Sequence, residues 1–323
     1  MGTVRSDTKR LIAVDRFRGI VIVLMVLANL LSEIKWIPAW MKHAEPEGIT
    51  IVDLIAPAFF FVIALTFPLS FGKRIKKDGK QKAYSHALIR GFALMGIGLF
   101  LSAGECLFIS DDGSLNFGVL EIIGYSIIIV LPFVNTPFLV KFSTAVLFGL
   151  LHQFLILPEF SEAILSDKYD MAMMLGPSSL LLLSLGMSDL FFKEKKSFLY
   201  LFFSLTLIIT GIILNIWIPF QRRLYNFNLV VISIGITSAA FYIVNFISER
   251  YWRKLDILCK WGRNPLVIFI LHYFLLLVFL VPSAAWWYKN VSLPLLVIQT
   301  VCYLLIIHAV VIFLEKKKII IKV

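Results

Sequence analysis

The sequence predicts an all-α polytopic membrane protein with about ten transmembrane helices and with its N- and C-termini in the cytoplasm. Hydrophobic residues make up 59% of the 323 residues and charged residues only 16%. A soluble domain has about 45–50% apolar residues and about 25% charged residues. The hydrophobic residues gather in repeated runs of about 20, each long enough to cross ~30 Å of hydrocarbon. We therefore expect a single transmembrane domain over residues 1–323.

Ten apolar runs define the predicted spans. Backbone groups in lipid must find hydrogen bonds within their own segment, so each run is expected to be an α-helix. The polar start MGTVRSDTKR does not read as a signal peptide. The predicted spans cover residues 18–36, 50–72, 88–106, 118–134, 138–157, 171–192, 198–217, 228–247, 265–282 and 294–314.

The Lys and Arg residues set the predicted orientation. Of the 31, 25 lie before Gly19, in segments 73–90, 193–196 and 250–263, at Lys141 and after Glu315. The positive-inside rule places these segments, and with them both termini, in the cytoplasm. The net charge of +11 is then explained by topology and by contacts with membrane lipids, so no nucleic-acid partner is expected.

The start of the first span carries an ionisable pair. Asp15 and Arg18 are three residues apart and so lie on one helix face, where they can pair. Gly19 lets another helix or a ligand approach closely. The pair either fixes the helix end or belongs to a site, and Asn29 is either interhelical glue or a polar group of a site.

His43 lies in the outer loop, and Asp53 lies about one turn into the second span. A histidine held by a buried carboxylate is a general-base or nucleophile arrangement, because the acid sets the tautomer and stabilises the imidazolium. His43 alone could be a solvated loop residue, and Asp53 alone could cap the second span. His43 and Asp53 are nevertheless the candidate catalytic residues.

Three further ionisable groups lie within or at the ends of predicted spans. His272 falls near the middle of the ninth span and should face the bundle interior, because a polar group facing lipid is disfavoured. Structural hydrogen bonding and a site role both stay open for it. Glu105 and Glu121, at the outer ends of spans three and four, are either interfacial carboxylates or acceptor contacts.

Two stretches near the N-terminus carry a family pattern. They read RLIAVDRFRGIVIVLMVLANLL and KHAEPEGITIVDLIAPAFFF. They follow R-x-x-S-x-D-x-F-R-G, then an asparagine, then a loop of the form H-A-x-W-N-G-L-T-x-A-D-L-V-F-P. The matched positions are Arg10, Asp15, Arg18, Gly19, Asn29, His43, Ala44, Gly48, Thr50, Asp53, Leu54 and Pro57. Residues 10–70 thereby closely resemble the opening of the heparan-alpha-glucosaminide N-acetyltransferase family of transmembrane acyltransferases.

Three weaker matches continue the resemblance in collinear order. They lie in FGVLEIIGYSIII, IPFQRRLYNFNLVV and WGRNPLVIFILHYF. The matched positions are Gly118, Leu120 and Tyr125, then Pro219, Arg222 and Leu224, then Gly262, Asn264, Leu266 and His272.

The resemblance implies acetyl transfer across a bilayer, with His43 as the catalytic residue. Acetyl-CoA would enter from the cytoplasm as co-substrate, and its phosphates would bind arginines at the basic inner face. His43 would either deprotonate the acceptor or carry the acetyl group itself. The candidate donor-site residues are Arg10, Asp15, Arg18, Asn29, Arg253, Arg263, Asn264 and His272. No metal is expected, because the three cysteines are scattered without ligand spacing.

The departures from the family pattern concern the acceptor. The family's Trp-Asn after the histidine reads Pro46-Glu47 here, and its Gln-Arg pair reads Glu121-Ile122. The acceptor is therefore expected to be an envelope or lumenal sugar or another small amine or alcohol, in a prokaryotic cell membrane, and a homodimer is compatible with the sequence. The candidate acceptor-binding residues are Glu47, Glu105, Glu121 and Arg222.

The sequence is also compatible with two other functions. Ten spans with a polar interior also suit a non-enzymatic transporter or a flippase for an envelope precursor. A family member that binds CoA without chemistry is the other. The first predicts that no acyl-CoA binds, and the second predicts binding without turnover.

Overall fold

The computed structural model describes residues 2–45, 47–108, 118–159, 174–250, 257–282 and 284–319, with only the backbone for residues 2–11, 105 and 249. Within these ranges every regular element is a helix. Seven described helices are long and apolar enough to cross a membrane, or eight if one bent pair counts as a single span. An all-α, multi-pass membrane protein is thus confirmed, while the ten spans and the cytoplasmic termini stay predictions.

The helices follow the predicted apolar runs in order. The described α-helices are α1 (Gly2–Leu31), α2 (Ile55–Asp78), α3 (Lys80–Phe108), α4 (Val119–Val130), α5 (Phe138–Leu151), α6 (Leu175–Phe192), α7 (Ser197–Leu214), α8 (Phe227–Arg250), α9 (Ile257–Arg263), α10 (Pro265–Leu280) and α11 (Leu293–Lys316). Short 3₁₀ turns cover Ala39–Met41, Val52–Leu54 and Leu131–Phe133, and a π-helical turn covers His152–Ile156.

Two connections differ from the predicted span limits. The basic segment 73–90 is helical except at Gly79, which joins α2 to α3 with φ +85°, a left-handed conformation that favours glycine. The second difference is a bend of 89° between α9 and α10. It falls at Asn264 because Pro265 lacks an N–H and can begin a helix but not continue one.

The described residues pack as two compact units, which we treat separately. The first unit comprises residues 1–44, 50–55 and 243–323, and so contains α1 and α9 to α11. The second comprises residues 45–49 and 56–242, and so contains α3 to α7 and most of α2 and α8.

In the first unit, α1 and α9 touch through glycine. A Cβ built on Gly19 would lie 2.0 Å from the carbonyl oxygen of Leu258, and one built on Gly262 would lie 1.9 Å from that of Asp15. Small residues permit such close backbone approach between membrane helices. This contact holds the helix that carries Asp15 and Arg18 against the start of the bent pair.

Gly19→Ala is expected to destabilise the protein by about 1–3 kcal/mol, because the new methyl group meets rigid backbone. Thermal unfolding in detergent measures the change. Gly96→Ala is the matched control, since a Cβ at Gly96 has no neighbour within 4 Å. Equal melting temperatures for the two variants would contradict a tight α1–α9 contact.

Candidate active site

His43 and Asp53 form a hydrogen-bonded pair in the first unit. The Nδ1 atom of His43 lies 2.7 Å from Oδ1 of Asp53. The Asp53 side chain is fully buried, whereas 33% of the His43 side chain is exposed. The pairing predicted from the sequence is therefore present, with a buried acid behind a partly open imidazole.

The second oxygen of Asp53 organises the loop around the histidine. Oδ2 accepts the backbone N–H of Ala44 at 3.1 Å and that of Thr50 at 2.9 Å. The Thr50 hydroxyl lies 2.9 Å from the same oxygen and 2.7 Å from the carbonyl oxygen of Lys42. These contacts hold residues 42–44 and Thr50, on either side of the turn after His43, against Asp53. A carboxylate that only capped the helix would not contact residues 43 and 44.

This geometry determines what the imidazole can do. An ionised carboxylate only accepts hydrogen bonds, so the proton of neutral His43 lies on Nδ1. Nε2 then carries the lone pair, and the ring is reachable from solvent. Such a nitrogen can take a proton from an acceptor nucleophile or attack an acyl carbon.

The Asp15–Arg18 ion pair is also present, at 3.3 Å between Oδ1 and Nη1. Arg18 Nη1 additionally donates to the carbonyl oxygen of Gly262 at 2.9 Å. Arg18 is thus engaged with both α1 and the C-terminal end of α9. These bonds favour the structural alternative for the pair.

Asn29 and His272 meet inside the first unit. Asn29 Nδ2 lies 2.8 Å from His272 Nε2, and His272 Nδ1 bonds the carbonyl oxygen of Phe269. The buried imidazole therefore has both ring nitrogens engaged, and its backbone carbonyl accepts the Tyr303 hydroxyl at 3.0 Å. His272 faces the interior, as the sequence predicts.

Tyr288 connects the loop between α10 and α11 to the end of α1. Its hydroxyl donates to the carbonyl oxygen of Leu30 at 2.9 Å. Burial raises the pKa of the Tyr288 phenol, so the group stays a protonated donor. Trp36 adds a second tie, from its indole N–H to the carbonyl oxygen of Val291 at 2.8 Å. Sequence reasoning did not single out either residue.

The remaining described donor-site candidates, Arg263 and Asn264, have hydrogen-bond partners other than Asn29 and His272. Arg263 lies 3.4 Å from Glu315, and its side chain is 46% exposed. Asn264 Nδ2 donates to the carbonyl oxygen of Ile319 at 3.2 Å. The Arg10 side chain and all of Arg253 lie outside the described residues.

The acceptor-site candidates lie in the second unit. Glu121 is only 1% exposed and accepts the Ser102 hydroxyl at 2.6 Å. A Cβ on Gly98 would lie 2.2 Å from its Oε2, so the carboxylate needs a glycine beside it. Glu121 is therefore buried among the helices of the second unit and not exposed at its surface. The Glu105 side chain lies outside the described residues.

Glu47 and Arg222 lie on neighbouring segments of the same unit. The exposed Glu47 carboxylate accepts a hydrogen bond from Gln221 Nε2 at 3.3 Å. Beside it, the N–H of Gly48 donates to the carbonyl oxygen of Phe220 at 2.8 Å. The turn that carries Arg222 is held by the buried His152, whose Nε2 lies 2.7 Å from the carbonyl oxygen of Leu224. From the sequence, only the family match at Arg222 indicated that this turn belongs to a site.

Candidate metal ligands were sought in the part of the chain that the structure describes. There, no three His, Cys, Asp or Glu side chains gather in a way that could hold a metal ion. None of the three described cysteines, Cys106, Cys259 and Cys302, forms a disulfide.

Comparison with known proteins places the site in a family context. Residues 10–215 match the profile of the family described as heparan-alpha-glucosaminide N-acetyltransferase, catalytic. The heparan-alpha-glucosaminide N-acetyltransferase of Mus musculus is 34% identical over 136 residues, which are 41% of this chain and 20% of that protein. The Homo sapiens protein of the same name is 32% identical over 124 residues, which are 38% of this chain and 18% of that protein. The matched stretch thus covers about a fifth of these curated relatives.

Proposed function

The chain belongs to the heparan-alpha-glucosaminide N-acetyltransferase catalytic family, and we propose from this premise that it is a transmembrane acyltransferase. It moves an acetyl group from cytoplasmic acetyl-CoA to an amino sugar, or another small amine or alcohol, on the opposite side of a prokaryotic cell membrane. The observation that carries the proposal is the 2.7 Å bond between His43 and the buried Asp53. Ten spans with both termini in the cytoplasm complete the proposed topology.

In the direct form of the reaction, His43 acts as general base. Nε2 removes a proton from the acceptor amine or hydroxyl as its nitrogen or oxygen attacks the thioester carbonyl. The new C–N or C–O bond forms, the C–S bond breaks, and the CoA thiolate takes up a proton to leave as the thiol. Asp53 acts as a positioning residue that stabilises the imidazolium formed between these steps.

In the covalent form, Nε2 attacks the thioester itself. An acetyl-imidazole forms as CoA leaves, and the acceptor then takes the acetyl group and regenerates free His43. Rapid mixing with radiolabelled acetyl-CoA in the absence of acceptor separates the two forms. Label on wild-type protein and none on His43→Gln supports the covalent form, whereas CoA binding without label supports direct transfer.

The donor would be held at the inner face of the first unit. Arg263 and Lys260 both lie beside Glu315, at 3.4 and 2.8 Å. Partly exposed cations can exchange such a carboxylate partner for phosphate. Asn29 and His272 would line the route of the thioester, in which case the bond between them opens to admit it.

Glu47 would take part in binding the acceptor. Glu47 is exposed and belongs to the loop segment 45–49. Where the family pattern has Trp-Asn, this chain thus offers a carboxylate, which attracts a protonated amine. An amine-bearing acceptor is therefore favoured over a neutral one.

Asp53→Asn is expected to lower acetyl transfer by at least about tenfold, because the amide no longer stabilises the imidazolium. CoA binding should stay near the wild-type value. Thr50→Val is the matched control, since it removes a hydroxyl beside the same carboxylate oxygen and keeps the His43 partner. Unchanged turnover in Asp53→Asn would leave Asp53 with a structural role only.

Thermal stabilisation by CoA, read together with release of free thiol from acetyl-CoA, tests the proposed function against its rivals. Stabilisation with acceptor-dependent thiol release supports the acyltransferase. Stabilisation without release for any amine or alcohol acceptor supports a binding protein without chemistry. If CoA neither stabilises the protein nor is released as free thiol from acetyl-CoA, the transporter becomes the favoured function.

A further inference from the structure

An apolar crevice of about 150 Å³ lies in the second unit among α5, α6, α7 and α8. Its apolar lining includes Phe142 and Val146 of α5, Leu183 of α6, Phe203 and Leu207 of α7 and Val231 of α8. It involves none of the residues assigned above to acetyl transfer. The crevice therefore needs an explanation of its own.

Three hydroxyls line the crevice, those of Ser179, Thr206 and Thr210, and two of them are already engaged by carbonyl oxygens. The Ser179 hydroxyl donates to the carbonyl oxygen of Ala145 at 2.7 Å, and the Thr206 hydroxyl donates to that of Phe202 at 2.9 Å. Both hydroxyls are thus satisfied within their own surroundings. A water molecule needs two to four polar partners in a cavity, so an apolar occupant is favoured, and a sugar or nucleotide is disfavoured.

The mouth of the crevice faces the hydrocarbon of the membrane. Thr206 is the one exposed residue of its lining. Around it on α7, Leu205 and Ile209 are each 57% exposed, and on α5 Leu139 and Leu147 are 70% and 52% exposed. α7, and α5 together with its helical continuation to Glu159, are long and apolar enough to cross a membrane, so we expect these side chains and the mouth between them to face lipid chains.

We propose that this crevice binds a hydrocarbon chain of a bilayer phospholipid. A dry apolar cavity of about the same volume can take up a molecule of the size of benzene, so the crevice holds part of a chain rather than a whole lipid. The chain restores the dispersion contacts that the lining residues lack in an empty crevice. The crevice is thus a structural lipid site. This proposal does not depend on whether the protein transfers acetyl groups.

Photo-crosslinking in lipid nanodiscs tests the proposal. The full-length protein is reconstituted with a phosphatidylcholine that carries a diazirine in one acyl chain, illuminated and mapped by mass spectrometry. We expect label on the crevice residues of α5, Phe142 and Val146, above that on the exposed Leu139. Thr206→Phe narrows the mouth and should lower the crevice label at least threefold. Leu205→Phe is the matched control on the lipid-facing surface and should leave it unchanged.

The same experiment can overturn the proposal. Crevice label no higher than that on Leu139, or no loss in Thr206→Phe, would show that lipid chains do not enter. Equal thermal unfolding of Thr206→Phe and Leu205→Phe ensures that a lost signal reflects the mouth and not misfolding.

Discussion

His43→Ala is expected to lower acetyl transfer by about 10²–10⁴-fold, the range that a positioned general base contributes. The loss follows because the ring nitrogen that takes the proton or the acetyl group disappears, while Asp53 and the rest of the loop remain. CoA binding should persist, since no donor-site candidate is changed. Thiol release from acetyl-CoA in the presence of acceptor measures the first quantity, and thermal stabilisation by CoA measures the second.

His86→Ala is the matched control for this loss. His86 is an exposed histidine of α3 to which we assign no role, so its variant should keep wild-type turnover. A His43→Ala protein that retains turnover within about threefold of wild type would remove His43 from the chemistry, because such a change is below 1 kcal/mol in barrier height.

Lys141→Met is expected to destabilise the protein by about 3–5 kcal/mol, the cost of breaking a buried ion pair from one side. Lys141 is fully buried, and its Nζ lies 2.5 Å from Oδ2 of Asp189. Removing the cation leaves the buried Asp189 with Lys193 alone, at 2.9 Å. Thermal unfolding in a mild detergent measures the change.

A double variant separates charge pairing from packing. In Lys141→Met combined with Asp189→Leu, no buried charge is left unpaired, so most of the lost stability should return. Lys195→Met, at an exposed position, controls for removal of one positive charge and should be nearly neutral. A double variant no more stable than Lys141→Met would mean that side-chain packing, and not the ion pair, determines stability here.

The helices were predictable because the membrane leaves little choice. An apolar run of about 20 residues must satisfy its own backbone, and each predicted run coincides with a helix in the described part of the chain. The connections were harder to predict. Gly79 turns α2 directly into α3, which depends on one residue with φ +85° and not on any change in hydrophobicity.

Long-range pairing was the part that the sequence could not provide. His43 and Asp53 are ten residues apart, and loop and span were close enough along the chain to suggest the pair. Asn29 and His272 are 243 residues apart, and only tertiary packing shows that they meet. Lys141 matched the positive-inside rule as a cytoplasmic cation, yet its partner 48 residues away makes it a buried structural group.

Sidedness tests the central claim most directly. The protein is sealed into proteoliposomes, a panel of amino sugars and small amines or alcohols is trapped inside, and radiolabelled acetyl-CoA is supplied only outside. We predict that an acetylated acceptor accumulates inside wild-type vesicles and not inside those made with His43→Ala. Equal amounts of internal product in the two preparations, or none in either, would contradict acetyl transfer across the membrane by this chain.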